Sequence, residues 1–163
     1  MKALVVYDSA YGNTEKVARA MGRALAAQHN TEVHHIRDVT PQQLSEADLL
    51  VIGSPTQKLS PTDAMRDFIA SIPANSLRGV RLAAFDTRIS IDDVQSTVSR
   101  FAARLFLHRY AAGPIAEALT KKGAQSIIEP EGFYVLDTEG PLKVGELERA
   151  AAWVQQIALQ IAH

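Results

Sequence analysis

Ser9, Ala10, Tyr11, Gly12, Asn13 and Thr14 combine hydroxyl and amide side chains around a single glycine, and they stand just ahead of a helical pattern. The backbone amides of such a loop, helped by the partial positive charge of a helix N-terminus, can hold a phosphate, and Ser9 and Thr14 can donate further hydrogen bonds. The loop carries no Lys or Arg, so it is not the Gly-Lys-Ser/Thr loop of nucleotide hydrolases, and one glycine does not make a dinucleotide fingerprint. The same residues equally suit a structural turn in which Asn13 or Thr14 caps the helix.

Few other residues offer chemistry. The 163-residue chain contains no cysteine, which removes a thiolate nucleophile, a Cys-based zinc or iron–sulfur centre and a disulfide couple. Redox work therefore needs a borrowed cofactor. His34 and His35 are neighbours in a strand pattern, face opposite sides and cannot chelate one metal. His29, His108 and His163 are isolated and read as solvated, while Trp153 reads as a packing residue. Neither a metal site nor a dedicated acid–base catalyst is expected.

The elements that must position the loop follow from periodicity. Lys2–Tyr7 is an apolar, valine-rich run ending in turn chemistry, and residues 32–36, 48–53 and 81–86 read as further strands. Residues 125–128 and 133–136 flank a Glu-Pro-Glu-Gly stretch and read as a fifth strand broken by a turn. Between the strands, Val17, Ala18, Met21, Ala24 and Leu25 recur at helical spacing. Ser60 followed by Pro61 and Asp63 predicts a capped helix running to about Ile72. Val94, Val98, Phe101, Ala102 and Leu105 predict a helix over 92–107, and residues 114–122 another, stopped by Gly123. Leu147, Ala151, Val154, Ala158 and Ile161 form the stripe of a last helix. Strands alternating with helices give a doubly wound, three-layer α/β/α domain with a parallel sheet, and residues 1–163 read as one domain. In such a sheet ligands bind beyond the carboxyl ends of the strands, here the loops at 8–14, 53–61 and 86–91.

Composition narrows the function further. At 47% hydrophobic, 21% charged and a formal net charge of −1, the chain is an ordinary globular sequence without the basic excess of a nucleic-acid binder. The starting apolar run breaks at Asp8, too short for a signal-peptide core or a membrane span, so a cytoplasmic protein without a membrane partner is expected. Charge is uneven: residues 75–125 hold 8 basic and 4 acidic groups, residues 126–163 hold 2 and 6. The basic stretch is either a solvated helix side or a docking face for an acidic redox partner. Phe101, Leu105, Phe106 and Leu107 in the same stretch would form a self-association patch, hence a possible homodimer, if they exceed what the core needs.

The stretch from Tyr7 to Thr14 resembles the phosphate loop of flavodoxins and flavodoxin-like domains, Thr/Ser-x-Thr-Gly-x-Thr after the first strand. Its tyrosine before the glycine is similar to that of flavodoxin-like quinone reductases and of the flavodoxin modules of flavodiiron proteins. Gly53, Ser54, Pro55 and Thr56 match the family's second flavin loop, and Phe85, Asp86, Thr87 and Arg88 stand at the third. The resemblance implies a five-stranded sheet of order 2-1-3-4-5 and FMN as cofactor. Ser9, Ala10, Tyr11, Gly12, Asn13 and Thr14 would cradle its phosphate. Ser54, Pro55, Thr56, Gln57 and Lys58 would pass one side of the isoalloxazine, and Asp86, Thr87, Arg88 and Ile89 would line the other. Arg88 or Lys58 near the ring would favour its reduced anionic form. Tyr110 could cover the ring if the helix over 92–107 folds back, but packing at a helix junction is the favoured reading of it. Many flavodoxins stack aromatics on the ring where this chain has Gln57, Lys58, Leu59, Arg88, Ile89 and Ile91. At roughly 1–1.5 kcal/mol per stacked pair, losing both stacks weakens binding by about one to two decades. The expected function is FMN-dependent electron transfer, as a carrier or small reductase serving a partner protein or a small-molecule acceptor. The alternative is a flavodoxin fold that has lost its cofactor and serves as an interaction module.

Overall fold

The computed structural model describes residues 1–90 and 110–162. Strand β1 (Lys2–Tyr7) lies between β2 (Asn30–His35) and β3 (Leu49–Pro55), with Val5 level with Val33 on one side and Val51 on the other. Strand β4 (Arg81–Ile89) follows, Ile52 beside Ala84. The short strands β5 (Gln125–Ser126) and β6 (Glu131–Val135) pair with successive stretches of β4. These strands pair with one another in parallel and the order is β2-β1-β3-β4-β5, with β6 continuing the fifth position. The sheet has the expected order, and the broken fifth strand is found as two pieces.

Continuous apolar strands are explained by two cores. Because side chains alternate along a strand, Leu4, Val6, Leu50, Ile52, Leu82 and Ala84 belong to one core. Helices α3 (Asp63–Ser71) and α4 (Ala112–Lys121) supply Met65, Ile69, Ile115 and Leu119 to it. Ala3, Val5, Leu49, Val51, Ala83 and Phe85 belong to the other core, where α1 (Asn13–Ala26) and α5 (Glu146–Ile161) contribute Val17, Met21, Leu25, Trp153, Val154 and Ile157. Phe133 joins the aromatics of that core edge-on, 6.1 Å from Phe85 and 6.0 Å from Trp153.

Several boundaries differ from the sequence reading for identifiable reasons. β4 runs on through Asp86, Thr87, Arg88 and Ile89, because β6 pairs with Phe85 to Ile89 and keeps that stretch extended. The cap of α3 is Thr62, whose Oγ1 accepts from Met65 N at 3.1 Å, while Ser60 pairs back onto Gln57. The buried face of α5 is Ala150, Trp153, Val154 and Ile157, set by the large indole; Leu147, Ala158 and Ile161 pack at its partly buried margin. A five-residue helix, α2 (Pro41–Ser45), was not expected, although Thr40, Pro41 and Gln43 spell its capping box. The helix expected over 92–107, Ile91, the apolar residues at 101–107, His108 and His163 lie outside the described residues. Among the described residues no helix is long and apolar enough to cross a membrane.

Candidate functional site

A cleft of about 810 Å³ opens at the carboxyl ends of the strands, a size suited to a small-molecule ligand. It lies where the sheet order reverses around β1 and β3. Ala10, Tyr11, Asn13 and Thr14 line it from the first loop, with Tyr11 55% exposed. The turn closes on itself: Ser9 N donates to Asp8 Oδ1 at 2.9 Å, and Gly12 N donates to Ser9 Oγ at 3.0 Å. Gly12, at φ 89°, is the N-cap of α1, and a Cβ there would meet nothing within 4 Å, so glycine is required by backbone angle and not by space. No side chain caps α1. The capping reading of Asn13 and Thr14 is therefore overturned: Asn13 Nδ2 donates to Glu139 O at 3.0 Å, and the Thr14 hydroxyl lies 2.8 Å from that of Thr87.

The β3–α3 connection contributes Pro55, Thr56, Gln57 and Lys58. Gln57 and Ser60 exchange backbone hydrogen bonds of 2.8 and 3.0 Å, forcing Lys58 (φ 49°) and Leu59 (φ 60°) into a left-handed two-residue tip that disfavours side chains. Ser54, expected beside the ring, is instead fully buried beneath the cleft, accepting from Thr62 N at 3.2 Å and donating to Pro55 O at 3.0 Å. Strand alternation is the reason, since Ser54 continues the row of Leu50 and Ile52 toward α3.

Burial divides the third group. Thr87, Arg88 and Ile89 line the cleft, but Asp86 is fully buried and does not. Its carboxylate takes Arg88 Nε at 2.6 Å, Arg88 Nη2 at 2.7 Å and Ala112 N at 3.0 Å. Burial pushes the Asp86 carboxyl up, while Arg88 and the Ala112 amide pull against that shift. The Arg88 guanidinium also lies over the Tyr110 ring, 3.9 Å from its centroid. Arg88 is thus a compensated charge, and Tyr110 packs buried under it and is not among the cleft residues.

Ser60 and Pro61, at the end of the 53–61 loop, and Asp63 and Arg66 of α3 also line the cleft although none was expected to contact the ligand, as do Val135 at the end of β6 and Thr138 beyond it. Thr138 was accessible to the carboxyl-end rule, because Asp137, Thr138, Glu139 and Gly140 follow the fifth strand as the other loops follow theirs. Arg66 Nη1 donates to Ser60 Oγ at 3.1 Å and its Nη2 pairs with Asp63. Among the described residues no group of three or more His, Cys, Asp or Glu is placed to hold a metal ion.

The residues fit a flavin nucleotide. A neutral, folded loop with an uncapped helix N-terminus and the Thr14–Thr87 hydroxyl pair matches a phosphate held by dipoles. Pro55, Thr56, Gln57 and Lys58 line the cleft next to Thr87, Arg88 and Ile89, with Pro55 level with Thr87 and Thr56 N donating to Thr87 O at 2.9 Å.

Comparison with known proteins agrees with this geometry. Residues 5–153 match the Flavodoxin family. A flavodoxin of Aquifex aeolicus is 39% identical over 57 residues, which cover 34% of this chain and 31% of that protein, so the match spans about a third of the curated relative's length. Among solved structures, an archaeal flavodoxin superposes with a TM-score of 0.75 at 24% identity over 100% of both chains. Rubredoxin:oxygen oxidoreductase from Desulfovibrio gigas gives 0.71 at 20% identity, over 99% of this chain and 36% of that one. These likenesses carry the fold, and the family match carries the descent: the chain belongs to the flavodoxin family.

Proposed function

We propose that residues 1–163 act as one flavodoxin-like domain that binds FMN in this cleft and exchanges electrons with a redox partner, either a protein or a small-molecule acceptor. The observation that carries the reading is the folded loop ending in Gly12, which leaves the N-terminus of α1 without a side-chain cap at the cleft's edge. Ala10, Tyr11, Asn13 and Thr14 would hold the phosphate through backbone amides and the Thr14 hydroxyl, with Ser9 and Gly12 shaping the turn. Pro55, Thr56, Gln57 and Lys58 would bound one side of the ring, and Thr87, Arg88 and Ile89 the other. Bound FMN would supply both one- and two-electron transfer, a combination that no side chain of this cysteine-free chain offers. The chain's task is to hold the group, orient it and set the polarity around it. The cofactor-free reading of the same fold is not favoured, because the phosphate loop is intact. A homodimer, suggested by the apolar residues at 101–107, belongs to the proposal and is checked by sedimentation of the FMN-loaded protein.

Apoprotein incubated with excess FMN and then freed of unbound ligand should carry absorption bands near ~370 and ~450 nm, the flavin's own. A colourless product, with flavin fluorescence neither quenched nor shifted during titration, overturns the assignment.

A further inference from the structure

The cleft loops rest on a buried carboxylate that does not line the cleft. Asp8, the residue that follows β1, is 8% exposed, and three donors from three parts of the chain converge on it. Ser9 N, in the phosphate loop, donates to Oδ1 at 2.9 Å, and His35 Nε2, at the end of β2, lies 3.1 Å from the same oxygen. His35 Nδ1 accepts from Arg37 N at 3.1 Å, so Nε2 carries the proton and donates it to Asp8. The third donor is the Thr62 hydroxyl, bonded to Oδ2. Thr62 is 7% exposed, caps α3 by accepting from Met65 N, and its own N–H holds Ser54 Oγ at the end of β3.

We propose that Asp8 and Thr62 form a latch that joins the phosphate loop to the β3–α3 loop, so that both walls of the cleft are set together by two residues outside it. These are positioning residues. A carboxylate with only donors around it tolerates no replacement that brings its own N–H, and a buried Oδ2 deprived of the Thr62 hydroxyl must find water by opening the surrounding turn. That opening moves Ser9 N, which lies 53 positions from Thr62 in sequence, in the phosphate loop. The latch also turns the Ser9 amide away from the ligand, leaving the phosphate to the amides that follow it.

The affinity readout rests on the FMN reading; the exchange readout does not. Thr62→Val removes the hydroxyl and nearly keeps the shape, Thr62→Ser keeps the hydroxyl, and Asp8→Asn reverses one donor. In the apoprotein, Thr62→Val should speed amide hydrogen exchange at least about tenfold at both 56–62 and 9–12, and Thr62→Ser should restore it. FMN titration of the same variants, well below their thermal midpoints, should show an affinity loss of about tenfold for Thr62→Val and within about threefold of wild type for Thr62→Ser. Faster exchange confined to 56–65 in Thr62→Val overturns the latch, whether or not FMN binds. A wild type that fails to bind FMN, with exchange still coupled between the loops, overturns the cofactor reading and leaves the latch standing. Should Asp8→Asn fail to fold, the Thr62 pair decides alone.

Discussion

Thr14 and Thr87 meet hydroxyl to hydroxyl at 2.8 Å, one from α1 and one from β4, and both line the cleft. Two facing hydroxyls share one hydrogen between them and leave the other free to donate outward, which is the arrangement an anion requires. Thr14→Val should keep the fold, cost about 1–2 kcal/mol by leaving Thr87 unpartnered, and raise the FMN dissociation constant by roughly tenfold in a fluorescence titration. Unchanged affinity would place the phosphate elsewhere. At this scale the sequence was readable in part. The loop 9–14 announced itself through one glycine among hydroxyl and amide side chains. Ser54 and Asp86 did not reveal that they lie below the cleft, held by the amides of Thr62 and Ala112, because those partners arrive from distant helix starts. Asp8 read merely as the residue that ends an apolar run, since donors 1, 27 and 54 positions away mark nothing in the local pattern.

Helix α5 and strand β6 show how elements are tied near the cleft. Glu146, the first residue of α5, accepts from Tyr134 N at 2.7 Å and holds Arg149 Nε at 2.9 Å and Nη2 at 2.7 Å. Burial opposes its charge, but Arg149 and the Tyr134 amide outweigh burial and hold the carboxyl below its ordinary value of 4.5. A carboxyl depressed in the folded state contributes stability that is full above its unfolded value and lost as pH falls through its folded one. Glu146→Gln should therefore lose about 1–2 kcal/mol at neutral pH and show a flatter decline of stability between about pH 5 and pH 3 than wild type, measured by urea unfolding. Equal slopes would mean that the pair contributes nothing. Helix and strand existence followed from periodicity, whereas ends did not: β4 continues to Ile89 only because β6 arrives beside it, and α3 starts at Thr62 because Gln57 and Ser60 close a hairpin first. The α2 capping box at Thr40 and Gln43 was legible and passed unread beside stronger patterns.

The molecule as a whole offers a cleft whose walls come from four separate strand ends, so ligand and fold are linked. FMN at one hundred times its dissociation constant should stabilise the native state by about 2.7 kcal/mol, which for a domain of this length raises the thermal midpoint by about 5–10 °C. Riboflavin, which lacks the phosphate, should shift it less at equal concentration; equal shifts would remove the phosphate loop from the account. The net charge of −1 says little about docking, because basic and acidic groups are segregated along the chain. By itself the sequence determined the alternation of strands and helices, the parallel sheet and the loop before α1, because hydrophobic period, glycine and caps act over a few neighbouring residues. Tertiary structure alone decided which residues beside those loops face the cleft, that Arg88 is neutralised by Asp86, and that Asp8 gathers three distant donors. Those outcomes depend on which element packs against which strand face, and that is settled by the whole chain at once.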